Sequence, residues 1–520
     1  MTAQSGHKKY KEEEKLKRVL SLILILALSL ALFPHRSGAL ADEIMYASDF
    51  SEGTDGFYPR SMGDAVLSAE NGAIIITGRS SDWHSPGRDF DLVPGEVYSL
   101  SVEVFQSEAD EAEFILSVAH TKNGTESYEN LGRVKAKRGE WTSIACVYTA
   151  GNYERFVLYV ETMHAPALSY SIRSFTVSGK TASFGAEGIP SLKETYAGLF
   201  DFGAALTETE CLSDARMSFC AGQFAIVTPG NELKPDFVLD LVGCRRLAAE
   251  DETAVAVNID HARPMLNFAM KYGLKVHGHV FVWHQQTPEA FFHESYDVSK
   301  PLVSRDVMLK RLENYMAAVF EITERDYPGL IVSWDVLNEA ISDSDGSLRP
   351  SKWLTVVGED YPERAFALAR KTAPEGVLLY YNDYNTAIPV KRGGIMALLK
   401  RLMAEGNIDG YGFQMHNSVG DPQIIRVAEA LKDVSSLGLR LRVSEMDVGV
   451  SKTDDASFSA QADYCRELMK LFIHYADQME AVQVWGVTDD LSWRAKNYPL
   501  LFDRDGQPKP AFYAVIDALQ

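Results

Sequence analysis

The sequence predicts two folded units, an all-β sandwich followed by an α/β unit of the (β/α)8 barrel type. First, the 520 residues are too many for one ordinary domain. Second, short apolar runs separated by turn residues fill the first third of the chain, whereas from residue 191 apolar strands alternate with helix-period segments. Third, polar and aromatic residues gather where these later strands end.

Composition limits the classes of partner. The chain is 46% hydrophobic and 24% charged, which is typical of a soluble globular protein, and its formal net charge is −21. An acidic protein is not expected to bind nucleic acid or an anionic membrane, and it suits a neutral substrate. Five cysteines without a C-x-x-C spacing predict buried free thiols, although a bridge between Cys211 and Cys220 stays open.

Residues 1–41 are predicted to be a signal peptide. Basic residues precede an apolar run from Val19 to Phe33, and Ala39-Leu40-Ala41 offers an A-x-A cleavage site. The apolar run is short for a membrane span. We therefore expect a secreted, extracellular protein with no stable membrane association after cleavage, and an uncleaved anchor is the alternative.

Residues 42–179 are predicted to form the β-sandwich. Its short runs alternate apolar and polar residues between Gly, Asn, Asp and Pro. Three aromatic residues, Trp83, Tyr128 and Tyr159, stand out, and Glu161 shares a strand face with Tyr159. Aromatic rings with polar neighbours bind sugars, although each ring is also a candidate core residue. The strand predictions cover Gly72–Thr77, Tyr98–Phe105, Phe114–Ala119, Thr142–Tyr148 and Phe156–Val160.

Three segments of this unit resemble carbohydrate-binding module family 22. They are Phe57-Tyr58-Pro59-Arg60, Thr77-Gly78-Arg79-Ser80-Ser81-Asp82-Trp83 and Leu158-Tyr159-Val160-Glu161. The resemblance implies a jelly-roll module that binds xylan. It also implies a structural calcium ion, whose ligands the sequence does not identify. By position, the groove would be lined by Arg60, Trp83, Tyr128, Tyr159 and Glu161.

Residues 180–190 are predicted to be a short linker, and residues 191–520 are predicted to form the barrel. Eight candidate strands alternate with helical segments, which are clearest at Ser304–Arg325, Glu363–Lys371 and Phe458–His474. A doubly wound sheet is the alternative, but no Gly-rich phosphate loop follows the first strand. The strand predictions are Phe200–Leu206, Gln223–Thr228, Lys275–Trp283, Leu330–Asn338, Val377–Asp383, Tyr411–His416, Leu439–Val448 and Ala481–Thr488.

Catalytic residues of such barrels lie at the carboxyl ends of the strands. Here two of those ends carry a glutamate, Glu339 after the fourth strand and Glu445 within the seventh. Glycoside hydrolysis uses a pair of carboxyl groups, one of which acts as an acid while the other is ionised. The plainer alternative is that each glutamate caps a strand or pairs with an arginine. The other polar and aromatic residues at the strand ends are Asn231, Lys234, His279, Trp283, His284, Asn338, Asn382, Gln414, His416, Asp447 and Trp485.

Several ordered segments of this unit resemble glycoside hydrolase family 10, the endo-β-1,4-xylanases. They are Gly278 to His284, Trp334 to Glu339, Gly412 to His416, Ser444 to Asp447, Trp485 to Asp489 with Ser492-Trp493-Arg494, and Pro508 to Phe512. The resemblance implies retaining hydrolysis with Glu339 as general acid/base and Glu445 as nucleophile. It places Asn231, Lys234, His279, Trp283 and Gln286 on the glycone side, and Trp485 and Trp493 around the cleavage point.

The residue types agree with these roles. Glu339 must hold a proton while Glu445 stays ionised, so their surroundings must separate the two pKa values. His416 and Asp447 are expected to orient Glu445, and Asn338 is expected to bond the sugar 2-hydroxyl. One departure is Gly230, where the family often has a glutamate that contacts sugar.

Metal catalysis is not predicted. His277 and His279 lie on one face of a strand, whereas His284 does not lie on that face. No His-Glu-x-x-His motif occurs in the sequence. We expect catalysis to need no cofactor. The partners expected are xylan and xylo-oligosaccharides, and the protein is expected to be monomeric. Two alternatives remain, a β-1,4-glucanase on the same barrel and a catalytically silent xylan-binding protein.

Overall fold

The computed structural model describes residues 44–51, 53–60, 65–122, 124–180 and 183–520. The predicted signal peptide lies outside these residues. The chain divides between Ala182 and Ser183 into two compact units. Within the described ranges, no helix combines the length and apolar character needed to cross a membrane.

The first unit is a sandwich of two antiparallel sheets. One sheet has the order β3-β4-β11-β6-β9, with β1 paired to β11, and the other has the order β2-β5-β10-β7-β8. The strands are β1 Ile44–Ser48, β2 Tyr58–Arg60, β3 Val66–Glu70, β4 Ala73–Thr77, β5 Ser85–Asp89, β6 Val97–Phe105, β7 Glu111–Lys122, β8 Thr125–Lys137, β9 Thr142–Thr149, β10 Arg155–Met163 and β11 Tyr170–Ser178.

Side-chain alternation explains how this sandwich forms. On β10 the residues Phe156, Leu158 and Val160 enter the core between the sheets, where they join residues such as Phe114. The alternate residue Tyr159 lies on the other face of the same sheet. The period-two pattern of the sequence therefore predicted both the strands and the face on which the candidate groove lies.

The linker is shorter in the structure than the predicted residues 180–190. From Ser183 onward the chain belongs to the second unit. The backbone N–H of Gly185 donates to the carbonyl of Asp505 at 3.2 Å, and Phe184 packs edge-on against Phe219. Ring packing and backbone hydrogen bonds, which composition does not reveal, attach residues 183–190 to the barrel unit.

The second unit is a closed barrel of eight parallel strands among its described residues. The order is β17-β16-β15-β14-β13-β12-β20-β19, and pairing of β17 with β19 closes it. All eight predicted strands are present, with ends that differ by a few residues. They are β12 Asp201–Leu206, β13 Ile226–Pro229, β14 Lys275–Val282, β15 Ile331–Asn338, β16 Leu378–Asp383, β17 Gly410–Phe413, β19 Arg440–Gly449 and β20 Met479–Val484, with a short β18, His416–Ser418, beside β19.

Helices follow the strands, as the alternation predicted. The longest begins after Ser304, whose hydroxyl accepts the N–H of Val307 and caps the helix. The α-helices are α1 Leu192–Thr195, α2 Glu208–Cys211, α3 Asp214–Gln223, α4 Pro235–Val238, α5 Leu241–Ala248, α6 Arg263–Tyr272, α7 Arg305–Asp326, α8 Lys352–Val357, α9 Tyr361–Thr372, α10 Pro389–Ala404, α11 Ile424–Ser435, α12 Asp455–His474 and α13 Pro510–Ile516. Short 3-10 helices span Glu289–Phe292, Glu294–Tyr296, Asp489–Leu491, Ala495–Asn497 and Asp517–Leu519.

Packing below the site holds β15 in place. Trp334 is buried and stacks on Phe281 with ring centroids 4.3 Å apart. A Cβ added at Gly278 would lie 2.2 Å from the Trp334 ring, so only glycine lets β14 approach β15 here. This close packing brings the end of β15, and the glutamate that follows it, to the rim of the barrel.

All five cysteines are free, and three of them, Cys220, Cys244 and Cys465, are buried. No disulfide joins Cys211 to Cys220. Burial raises the pKa of the Cys465 thiol to about 12, so this side chain is an inert, neutral core group.

Candidate active site

Glu339 follows directly after β15, in a left-handed backbone conformation with φ of 54°. The indole N–H of Trp283 donates to its Oε2 at 3.0 Å, and the amide of Gln414 donates to its Oε1 at 3.1 Å. The Nε of Arg349 donates to the Glu339 carbonyl at 2.9 Å and holds the turn. His284 lies farther away, with Nδ1 3.9 Å from Oε2. The carboxyl group is thus fixed by neutral donors.

Glu445 lies on β19 and is 4% exposed. The amide of Asn382 donates to its Oε1 at 2.6 Å, and His416 Nε2 lies 3.1 Å from its Oε2. Burial alone would raise the pKa of this carboxyl group. Hydrogen bonding from His416, together with the charges of His279 and His416, outweighs burial, so the pKa of Glu445 lies below its ordinary value. The surroundings of Glu445 therefore favour its ionised form.

His416 links Glu445 to a second buried carboxylate. Its Nδ1 lies 2.8 Å from Oδ2 of Asp447, which also accepts the indole N–H of Trp493 at 3.0 Å. Arg494 donates to the other oxygen of Asp447 and to the carbonyl of Asn417. Asp447 thus orients His416, and His416 orients Glu445.

Three amide side chains connect the two glutamates. The Oδ1 atom of Asn338 accepts from Asn382 at 3.1 Å and from Gln414 at 3.0 Å, so its Nδ2 turns toward Glu339. Asn382 donates onward to Glu445. Because each amide has its oxygen and nitrogen assigned by a neighbour, this row of side chains holds one arrangement.

The residues predicted for the glycone side lie together beyond this row. Lys234 donates to Asn231 at 3.0 Å and to Gln286 at 2.9 Å, and its ammonium lies 5.1 Å from the Trp283 ring centre. Burial lowers the pKa of Lys234. Trp485 lies next to this group, with its ring centre 5.5 Å from that of His279. All fifteen barrel residues proposed from the sequence are thus linked by contacts into one site.

Sequence reasoning missed Asp335, which lies within the barrel below the site. Its Oδ2 is 2.8 Å from Nδ1 of His279 and 3.0 Å from Nε2 of His277. Burial opposes ionisation of Asp335, but the charges and hydrogen bonds of the two histidines outweigh it and hold its pKa below the ordinary value. The available signal was a charged residue within a strand predicted to be buried, three residues before Asn338. Arg349 and Arg494 were also not identified as site residues.

A cavity of about 290 Å³ opens beside the site at the end of β17. It is lined by Gln414, Met415 and His416 on one side and by Thr386 and Pro422 on another. Gln414 and Met415 lie between β17 and β18 rather than on one continuous strand, because Met415 adopts a φ of 59°. This break turns both Gln414 and His416 toward the glutamates.

The candidate groove of the first unit needs one correction. Trp83 and Tyr128 are 42% and 60% exposed, as open rings should be, whereas Tyr159 is only 2% exposed. The guanidinium of Arg60 lies 3.7 Å above the Tyr159 ring and covers it. The opposing residue on β5 is Gly87, where a Cβ would lie 2.5 Å from the Arg60 side chain. Tyr159 is therefore a buried support for Arg60 in this structure and does not offer an open face.

Glu161 lies at the far end of this face. Ser117 donates to its Oε1 at 2.7 Å, and burial raises the pKa of the carboxyl group. Tyr128 donates to Glu126 at 2.6 Å and lies 5.9 Å from the Arg60 guanidinium. Among the described residues, no group of three or more His, Cys, Asp or Glu side chains is arranged to hold a metal ion. The structure therefore assigns no ligands to the calcium ion implied by resemblance.

Comparison with known families decides the family of the barrel. The model of glycosyl hydrolase family 10 matches residues 191–518, and that of a carbohydrate binding domain matches residues 42–167. This chain belongs to glycosyl hydrolase family 10. The predicted (β/α)8 barrel and the preceding carbohydrate-binding module are confirmed, since the barrel is the fold of this family.

Named relatives of this family 10 chain include two curated proteins. It is 31% identical over 461 residues to endo-1,4-beta-xylanase A of Thermoanaerobacterium saccharolyticum, covering 86% of this chain and 38% of that protein. It is 29% identical over 534 residues to exoglucanase XynX of Acetivibrio thermocellus, covering 96% and 47%. The chain thus spans less than half the length of these two relatives.

A solved structure is similar over almost the whole chain. It contains the CBM22-1 and GH10 modules of Clostridium thermocellum endo-1,4-beta-D-xylanase 10B, complexed with xylohexaose. The TM-score is 0.76 at 29% identity, and the match covers 92% of this chain and 97% of that one.

Proposed function

We propose that this chain is an endo-β-1,4-xylanase that hydrolyses internal β-1,4-xylosidic bonds of xylan with retention of configuration. The observation that carries the proposal is that two neighbouring carboxyl groups have different surroundings. Glu445 is buried, bonded by His416 and Asn382, and has a lowered pKa. Among the described residues, the side-chain donors to the Glu339 carboxyl group are neutral. Such asymmetry suits a nucleophile and a general acid/base, respectively.

In the first step the Glu445 carboxylate attacks the anomeric carbon, and Glu339 gives its proton to the departing glycosidic oxygen. A covalent glycosyl–Glu445 ester results. In the second step Glu339 takes a proton from water, whose oxygen attacks the same carbon and releases Glu445. The Nδ2 of Asn338 is the donor placed for the sugar 2-hydroxyl, because its Oδ1 already accepts two hydrogen bonds.

The test is hydrolysis of xylan and of carboxymethylcellulose, with the anomer formed at early times followed by NMR. We expect xylan to be cut internally, with the β-anomer appearing first. A Glu445→Ala variant is the control for contaminating activity. Preference for carboxymethylcellulose would favour the glucanase alternative, which the exoglucanase name of one relative makes worth testing. Binding of xylan without turnover would identify a silent binding protein instead.

The first unit is proposed to be a xylan-binding module of family 22. Exposed Trp83 and Tyr128 and the carboxylate of Glu161 support this assignment, since ring faces and hydrogen-bonding groups together recognise sugars. Its expected contribution is a raised local concentration of the barrel on insoluble substrate. The calcium ion remains part of this proposal without assigned ligands.

We further propose that the chain is secreted after cleavage of residues 1–41 and acts outside the cell as a monomer. The basic, apolar and small-residue order of that segment supports export. N-terminal sequencing of protein from the culture medium, followed by size-exclusion chromatography, tests both points. A mature N-terminus near Asp42 and an elution volume of one chain are expected.

A further inference from the structure

The loop that carries Trp83 is attached to a single buried guanidinium, that of Arg79. This side chain is 5% exposed. Its Nε donates to the carbonyl of His84 at 2.5 Å, and its Nη2 donates to the carbonyls of Asp82 at 2.8 Å and Ser81 at 3.4 Å. The two residues that flank Trp83 are therefore both held by Arg79, while the Trp83 ring remains open to solvent.

The same guanidinium also holds the chain that follows β10. Its Nη1 donates to the carbonyl of Leu168 at 2.6 Å and to that of Ala165 at 3.4 Å. Its Nη2 donates to the Thr162 hydroxyl at 2.7 Å, and the guanidinium carbon lies 4.7 Å from the ring centre of Tyr170. Five donors in one rigid plane make this convergence on several oxygens available to arginine and not to lysine.

Asp82 joins these two segments a second time. Its Oδ1 accepts from the Thr162 hydroxyl at 2.8 Å and from the N–H of Ala165 at 2.9 Å. The backbone N–H of Thr162 donates to the Asp82 carbonyl at 3.3 Å. Thr162 directly follows Glu161, so the network connects the exposed ring of Trp83 to the carboxylate predicted to bind the same sugar chain.

We propose that Arg79 is a positioning residue for the groove of the module, which sets the separation of Trp83 and Glu161 before sugar binds. Its guanidinium gathers the backbone carbonyl oxygens of both segments and so fixes one loop against the other. Without Arg79 the flanking backbone would be ordered only on binding, and the backbone entropy lost at that step would weaken binding. This inference rests on the proposed binding of xylan by the module.

The experiment measures depletion of the full chain by insoluble xylan, in a Glu339→Ala, Glu445→Ala background that cannot consume the ligand. Thr162→Val removes one acceptor of Arg79 and the hydroxyl donor to Asp82 at nearly constant volume, and Arg79→Lys keeps the charge but not the planar donors. We expect at least roughly tenfold weaker binding for Thr162→Val, because its hydroxyl bonds two charged side chains. Arg79→Lys should fall to the level of Trp83→Ala, which lacks the exposed ring of the groove. Arg133→Lys, an exposed arginine of the same module, should bind unchanged.

Two readouts distinguish positioning from a loss of folding. Acrylamide quenching of Trp83, obtained by difference from a Trp83→Phe partner of each variant, should increase while the unfolding midpoint of Thr162→Val stays within a few degrees. A variant that loses binding only in proportion to its unfolding midpoint would overturn the inference.

The Trp83→Ala arm separates this inference from the proposed function. If Trp83→Ala binds as tightly as the parent, then the module does not bind xylan through this ring and the proposed function of the module is wrong. If Trp83→Ala weakens binding but folded Thr162→Val and Arg79→Lys bind like the parent, then the function stands and the role of Arg79 is refuted.

Discussion

The Nε2 atom of His416 lies 3.1 Å from Oε2 of Glu445. The opposite ring nitrogen lies 2.8 Å from Oδ2 of Asp447. Burial alone would lower the pKa of this histidine, but hydrogen bonds and charges of the two carboxylates outweigh burial and raise its pKa to about 10. His416 is therefore a cation at neutral pH, and it stabilises the ionised form of Glu445.

This relationship predicts a pH dependence of stability. A group whose pKa is raised on folding adds stability that is complete below its ordinary pKa, 6.5 for histidine, and is lost as the pH rises toward about 10. In His416→Gln this loss of unfolding free energy between about pH 6.5 and 10 should be absent, because the side chain no longer titrates. Urea unfolding of both proteins at pH 6, 8 and 10 measures the difference. His474→Gln, which alters an exposed histidine, should follow the parent.

The same variant should change the pH profile of activity. Without the His416 cation the pKa of Glu445 should rise, since burial then acts with less opposition. The acidic limb of kcat/KM on a soluble xylo-oligosaccharide should move to higher pH. An unchanged acidic limb with a uniformly lower rate would mean that His416 acts only through substrate placement.

Replacement of Glu445 and of Glu339 should have different effects on activity. Glu445→Ala cannot form the covalent intermediate and should lose activity on every β-1,4-xyloside. Glu339→Ala keeps the nucleophile, so an aryl xyloside with a dinitrophenolate leaving group should still react, and the intermediate should accumulate. Added azide should give a β-azide from Glu339→Ala and an α-azide from Glu445→Ala. NMR of the azide products checks this, and a β-azide from Glu445→Ala would reverse the assigned roles.

Trp83 and Tyr159 were predicted to act alike, but the structure predicts different effects. Trp83→Ala should leave the unfolding midpoint nearly unchanged and weaken binding to xylan, because its ring is exposed. Tyr159→Ala should destabilise the module by about 3–5 kcal/mol, the range for buried aromatic truncations. Calorimetry and xylan pull-down on both variants separate the effects. An equal loss of stability in both variants would mean that Trp83 is a core residue of the module.

Arg442 on β19 should be replaceable with a gain in stability. It is 2% exposed within the barrel, and its Nε and Nη1 atoms have no hydrogen-bond partner among the described residues. Arg442→Met should therefore raise the free energy of unfolding by about 1–3 kcal/mol, the usual penalty of a buried unsatisfied donor. Arg440→Met, at an exposed residue paired with Glu480, is the matched control and should change little. Denaturant unfolding checks both, and a destabilised Arg442→Met would show that the charge is needed by Asp335.

Local patterns predicted much of this molecule. The alternation on β10 placed Phe156, Leu158 and Val160 in the core. The apolar run of β15 ending at Asn338 and Glu339 gave both a buried strand and its functional end. Such signals are local because side-chain direction repeats every two residues in a strand, and because parallel strands of a barrel end at one rim.

Other features depended on contacts between distant segments. Arg60 covers Tyr159 because Gly87 of a neighbouring strand leaves room for its side chain, and nothing beside Tyr159 in the sequence indicates this. Asp335 meets His277 and His279 only once β14 and β15 pair. Residues 183–190 were predicted to belong to a linker, but ring packing and backbone hydrogen bonds attach them to the barrel unit.

The sequence by itself determined which residues could do the chemistry, because residue type and strand position are properties of the chain. Only the tertiary structure decided that the pKa of Glu445 is lowered, which aromatic ring is open and which arginine organises a loop. The physical reason is that the pKa of Glu445, the exposure of Trp83 and the bonds of Arg79 depend on burial and on partners far away in the chain.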